Sequence, residues 1–124
     1  MSSQPTVLVV EDEILIRLHV SDFLRDCGYN VLEATDGSQA LGMLQADAPV
    51  DIVFTDVTLP GETDGFALAQ WIRERKPTLP VVLTSGKATR DALEIGGLKF
   101  FPKPCDYSEV ERYIRTLLSG GLQS

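Results

Sequence analysis

The sequence predicts an α/β fold, a five-stranded parallel sheet doubly wound by about five helices. Three observations carry this expectation. Short apolar runs rich in β-branched residues alternate with stretches of helical period, the pattern of βαβ units. The first run, residues 7–10, is continuously apolar, as a strand buried on both faces requires. With 124 residues, 44% hydrophobic and 23% charged, the chain suits one domain with a real core and lacks the signature of disorder. One domain is expected over residues 1–124, with its core at about 6–119 and loose tails at 1–5 and 120–124.

The first strand ends at Glu11-Asp12-Glu13. The helix after it carries Ile16, Val20, Phe23, Leu24 and Cys27 on one stripe and stops at Gly28, a good C-terminal cap. Residues 29–34 read as the second strand, and Asp36 is an N-cap for a helix that turns Ala40, Leu41 and Leu44 inward before Pro49. The third strand covers 50–55 and ends in Asp56; the following VTLPGETDG is a loop marked by Pro60, Gly61 and Gly65. A helix over about 65–76 buries Leu68 and Ile72 and ends before Pro77.

Residues 81–84 form the fourth strand, which runs into the turn Thr84-Ser85-Gly86. A short helix is expected over about 89–95, then a fifth strand over 98–101 that runs into Pro102-Lys103-Pro104. The last helix opens with the capping-box pattern Asp106-x-x-Glu109 and buries Val110, Ile114, Leu117 and Tyr113.

A net charge of -7 argues against direct nucleic-acid binding and against docking on an anionic membrane surface. No stretch reaches the roughly 18 apolar residues that span a bilayer, and MSSQPT lacks the features of a secretory signal, so a cytoplasmic location is expected. Cys27 and Cys105 form no CxxC or metal spacing and read as buried or inert thiols. His19 is the single histidine, which excludes a Ser/His/Asp triad with a histidine base and a histidine metal cluster.

In a sheet of this kind, ligands bind beyond the carboxyl ends of the strands, where strand order reverses. Glu11 and Asp12, Asp56, Thr84 and Ser85, and Lys103 all fall at such ends. Crowded carboxylates need a compensating cation, and an all-oxygen set suits the hard ion Mg²⁺, which commonly takes one or two carboxylates and leaves others free. Asp56 is then a candidate nucleophile toward a phosphoryl group, with Lys103 and a hydroxyl donor to neutralise its oxygens. Either Thr84 or Ser85 could supply the hydroxyl, and spacing favours Thr84.

Taken in order, LVVEDE, FTDVTLPGETDG, VVLTSG and FFPKP make the chain resemble the receiver domain of two-component response regulators, over nearly its whole length. The resemblance implies a flavodoxin-like sheet of order 2-1-3-4-5 and Asp56 phosphorylated from a histidine kinase or histidine phosphotransfer protein. It implies Mg²⁺ held by Asp12, Asp56 and the backbone carbonyl of Thr58, with Glu11 acting largely through water. Lys103 would contact the phosphoryl group, the Lys103-Pro104 bond would be cis, and Thr84 and Phe100 would be the switch residues. Such a domain catalyses only its own phosphorylation and dephosphorylation and is no metabolic enzyme. Without an output domain it would act as a diffusible regulator, a relay or a phosphate sink, through an output protein the sequence does not name.

Several features depart from the family pattern. The loop from Asp56 to Gly65 is one residue longer than usual, and the span from Thr84 to Lys103 is about three residues shorter, which leaves room for only a shortened fourth helix. Phe100 lacks the hydroxyl that a tyrosine would bring and reads equally as a core aromatic. Gly86 stands where receivers often carry a side chain that tunes hydrolysis. Ile14, Leu15 and Leu18 lie off the core stripe, as either an exposed patch for a phosphodonor helix or the edge of a broad core face. The competing functions are a phosphorylation-independent pseudo-receiver binding module and a haloacid-dehalogenase-type phosphatase. The first is disfavoured by the complete acid set with Thr84 and Lys103, the second by the absence of DxD at the first strand end.

Overall fold

The computed structural model describes residues 4–86 and 98–119. Its elements are β1 (Thr6–Val10), α1 (Ile14–Asp26), β2 (Asn30–Ala34), α2 (Gly37–Gln45), β3 (Ile52–Asp56), α3 (Gly65–Arg75), β4 (Val81–Ser85), β5 (Lys99–Pro102) and α4 (Tyr107–Leu118). The short helix expected at 89–95 lies outside the described residues. The five strands are parallel in the order β2-β1-β3-β4-β5, the flavodoxin-like arrangement.

Alternation along each strand sends side chains to two faces, and each face is covered by its own helix pair. Leu8, Val10, Val53 and Leu83 pack with Ala40 and Leu44 of α2 and Leu68 and Ile72 of α3. Val7, Val9, Phe54 and Val82 pack with Val20 and Leu24 of α1 and Val110 and Ile114 of α4. Strand order reverses between β1 and β3, so the crevice beyond their carboxyl ends is the place where this architecture holds ligands.

The helix signals act locally. Asp36 accepts from Gln39 N at 2.7 Å, and Asp64 accepts from Ala67 N at 2.8 Å, each meeting one of the unpaired first-turn N–H groups. Asp106 accepts from Ser108 N at 2.9 Å, one residue earlier than a capping box would have it. Helix α1 ends in a Schellman turn: Tyr29 N bonds Leu24 O, Gly28 N bonds Arg25 O, and Gly28 takes a φ of 101°. That turn corrects one expectation. Cys27 is the C-cap, where the chain leaves the helix, and it is exposed instead of continuing the buried stripe.

Gly65 packs tightly against the end of β3. A Cβ there would overlap the Asp56 carbonyl and the Val57 Cα, because Gly65 N bonds back to Val57 O at 2.8 Å. The first turn of α3 is thereby pressed against the end of β3. The loop with its additional residue is accommodated before this contact, with Thr63 against Gly37.

Candidate functional site

Asp56 closes β3 and is 6% exposed; Glu11, the first residue after β1, is 4% exposed. Asp12, next in the chain, turns to solvent. The three carboxylates offer oxygens that lie within 4.8 Å of one another. Lys103 enters from the loop after β5, its Nζ 2.7 Å from Asp56 Oδ2 and 3.0 Å from Glu11 Oε1. Its own backbone is pinned by Lys103 N donating to Ser85 O at 2.7 Å, and the following Lys103-Pro104 bond is cis, as expected.

Backbone donors hold the remaining carboxylate oxygens. Thr58 N donates to Asp56 Oδ1 at 3.1 Å and Glu13 N to Glu11 Oε2 at 3.1 Å. Burial raises the Glu11 carboxyl above the ordinary range and the Asp56 charge adds to this, while the Glu13 N–H and Lys103 oppose it. For Lys103, burial works against the charge, but its bonds to Asp56 and Glu11 more than offset that and raise its pKa. The ammonium is therefore fixed as a cation between two acids.

Donor chemistry and spacing fit a hard divalent ion. Asp12, Asp56, Thr58, Ser85, Gly86 and Lys103 line one open cleft, and its carboxylates are the oxygen ligands such an ion takes. Asp12 is exposed at its mouth, whereas the described bonds of Lys103 go to Asp56 and Glu11.

Register separates the two hydroxyls that the sequence left open. Asp56 pairs with Thr84, so these side chains leave the sheet on the same face; Ser85 leaves on the other, and it is Ser85 that lines the open cleft with Asp56 and Lys103. Thr84 is 3% exposed, and its Oγ1 lies 2.9 Å from Cys105 Sγ. Phe100 pairs with Leu83 and packs on the α2–α3 face, whereas Phe101 faces the Asp56 side. Ile14, Leu15 and Leu18 are 58%, 79% and 42% exposed, which decides for a patch over a covered core edge.

Two participants went unnoticed in the sequence. Arg17 donates from Nη1 to Glu11 O at 2.9 Å and from Nε to Glu33 Oε1 at 3.0 Å, clamping the loop that carries the acid pair. Its place three residues into α1 was the available signal. Cys105 is the other; no residue pattern points from position 105 to Thr84.

The family model described as the response regulator receiver domain matches residues 7–115. A probable transcriptional regulatory protein of Picosynechococcus sp. is 34% identical over 95% of this chain and 51% of its own length. The chain thus spans about half, or less, of the length of the curated relatives it matches. The crystal structure of a response regulator receiver protein from Sinorhizobium medicae superimposes with a TM-score of 0.88 at 29% identity, covering 94% of this chain and 95% of that one. The response regulator TrrA of Thermotoga maritima, in complex with Mg²⁺ and BeF, gives 0.83 at 26% identity, covering 92% and 99%. Among the described residues no helix is long and apolar enough to cross a membrane.

Proposed function

This chain belongs to the response regulator receiver domain family, and from that premise we propose that it accepts a phosphoryl group on Asp56, in a Mg²⁺-dependent reaction, and works as a phosphorylation switch, relay or sink. The donor is a histidine kinase or a histidine phosphotransfer protein. The observation that carries the reading is the Lys103 ammonium spanning Asp56 and Glu11 within 3.0 Å at the switch point of the sheet.

A carboxylate oxygen of Asp56 forms the new O–P bond while the P–N bond of the donor phosphohistidine breaks, and the leaving imidazole nitrogen keeps the electron pair. Lys103 supplies positive charge to the equatorial oxygens, and a hydroxyl at the end of β4 donates to one of them: Thr84 leaves the sheet on the Asp56 face, while Ser85 lines the cleft with Asp56 and Lys103. Glu11, Asp12, Asp56 and the Thr58 carbonyl are the groups that would hold Mg²⁺, which when bound offsets the charge gathered on acids and phosphoryl oxygens. Burial of Asp56 limits the water available to hydrolyse the product. Phe100, on the face opposite Thr84 and shared with Ser85, is the aromatic assigned to repack on phosphorylation; lacking a hydroxyl, it would gain packing alone.

The patch of Ile14, Leu15 and Leu18 beside the acid pair is the surface for the donor's helix, an apolar face that an amphipathic helix can cover. The signal passes to an output protein or segment whose chemistry differs among relatives.

The deciding experiment is intact-mass measurement after incubation with acetyl phosphate, with and without Mg²⁺, on the parent and on Asp56→Asn. The expected result is a one-phosphoryl increment that requires both Mg²⁺ and Asp56. Absence of that increment in the parent, under conditions where it binds Mg²⁺, favours a phosphorylation-independent binding module.

A further inference from the structure

We propose that Arg17 is a positioning residue for the cation site: it fixes the peptide that joins Glu11 to Asp12 and thereby holds Asp12 ready for Mg²⁺. This rests on the reading of Glu11, Asp12 and Asp56 as Mg²⁺-binding acids. Arg17 Nη1 donates to Glu11 O at 2.9 Å, and that oxygen belongs to the peptide unit whose N–H is that of Asp12. A peptide unit is planar, so an anchored carbonyl oxygen also orients the Asp12 nitrogen and Cα.

Glu11 is held from several sides. Its N–H donates to Ala34 O at 3.1 Å, and its carboxylate accepts from Lys103 and from the Glu13 N–H. Asp12 lacks such support: its carboxylate is exposed, and no described hydrogen bond or ion pair reaches it. Nor does a helix cap brace the loop, because Glu13 at the N-cap of α1 makes no side-chain capping bond. Asp12 is therefore aimed by its backbone, and Arg17 bonds that backbone at the carbonyl just before it.

Helix stability does not account for an arginine at this place. A cation in the first turn opposes the helix macrodipole, and α1 carries no acid there to offset it. The side chain is instead 12% exposed and anchored through its other edge, Nε donating to Glu33 Oε1 at 3.0 Å. Glu33 lies in β2, paired in register with Val9, and its second oxygen accepts from Arg25 Nη2 at 3.1 Å. A line of directed bonds thus runs from β2 through Glu33 and Arg17 to the acid pair. Arginine's planar fork suits two such bonds, whereas a lysine ammonium is a mobile point charge.

Charge and positioning predict opposite signs. A cation beside a cation site repels Mg²⁺, so removing an arginine that acts by charge alone tightens binding. Removing one that positions Asp12 weakens it, because the freed loop must be ordered when the ion binds.

The test is Mg²⁺ titration of the unphosphorylated protein by calorimetry at fixed ionic strength, with urea unfolding in EDTA to separate binding from stability. Arg17→Met is expected to raise the Mg²⁺ Kd about tenfold, the lower end of what partners behind metal ligands contribute. Arg17→Lys keeps the charge, loses the fork and also raises the Kd; it decides alone should the methionine variant not fold. Tighter binding in Arg17→Met overturns the proposal, as does a parent-like Kd in either variant, which with lower stability marks a merely structural arginine. A parent that binds no Mg²⁺ overturns the functional reading and the role of Arg17 with it. A parent that binds Mg²⁺ and gains a phosphoryl group on Asp56, while Arg17→Met binds the ion as tightly, overturns the positioning role only.

Discussion

Lys103 Nζ stands 2.7 Å from Asp56 Oδ2 and 3.0 Å from Glu11 Oε1, so one ammonium ties the ends of β3 and β1 together. Lys103→Met removes that tie and leaves two buried acids facing each other. The expected cost is about 1–3 kcal/mol at pH 7, below the full value of a buried pair because the lysine is partly in water. Urea unfolding measures it. Phosphorylation should slow by roughly 100-fold, as when one donor to developing charge is lost. A variant as stable and as fast as the parent would refute both roles.

On the proposed reading, the same crowding should make Mg²⁺ a stabiliser. At a tenfold excess over Kd, the ion should add about 1.4 kcal/mol to unfolding stability and raise Tm accordingly. Asp12→Asn should lose most of that increment while being no less stable than the parent without metal, since it removes one of the mutually repelling charges. Equal Mg²⁺-induced Tm shifts in the two proteins would exclude Asp12 from the ion's ligands.

Why these groups meet was largely legible in the sequence. Strand runs end where acids, hydroxyls and a lysine begin, and the parallel order gathers those ends. Thr84 and Ser85 could not be separated by neighbouring residues, because facing is set by register with β3, a non-local property. The exposure of Cys27 was hidden for a similar reason: periodicity extends a stripe until backbone geometry ends it, here at Gly28. Ser21, buried with an Oγ that has no hydrogen-bond partner among the described residues, sits beside Val20 where an apolar residue would be read as core. For Arg17 the sequence offered only a cation near the start of α1, because both of its acceptors are set by tertiary packing.

Alkaline stability should turn on Tyr29. Burial, followed by its hydrogen bond to Glu111 at 3.0 Å, pushes the phenol from 10 up to about 12. A group that keeps its proton longer when folded stabilises the fold while protonated. Its contribution is complete below pH 10 and disappears as pH rises toward about 12. Lys103, also raised, acts in the same direction above the ordinary lysine range. Tyr29→Phe should cost about 1 kcal/mol at pH 8, with Arg115 still at 3.3 Å to pair Glu111, and should flatten the alkaline fall. An equally steep fall in the variant would remove Tyr29 as its source.

Gly65→Ala tests the packing behind Asp56. The added Cβ meets the Asp56 carbonyl and Val57 Cα, both backbone atoms that cannot rotate aside. A loss of about 2–4 kcal/mol is expected, together with slower phosphorylation as the end of β3 shifts. Gly42→Ala, where a Cβ meets nothing within 4 Å, is the control and should be neutral or stabilising in its helix. Similar losses at both positions would mean that crowding at Gly65 is not the cause.

Leu15→Glu separates docking from chemistry. Leu15 is 79% exposed, so the substitution should change stability by no more than about 0.5 kcal/mol. Acetyl phosphate needs no protein surface, and phosphorylation from it should proceed at the parent rate. A phosphohistidine donor that covers the Ile14, Leu15 and Leu18 patch would have to desolvate the new carboxylate, which also adds negative charge beside Asp12 and Glu13. Transfer from such a donor should fall at least tenfold, mainly through weaker binding. Unchanged transfer from the cognate protein would move the docking surface away from this face of α1, while an equal loss with acetyl phosphate would mean that the substitution had disturbed the site itself.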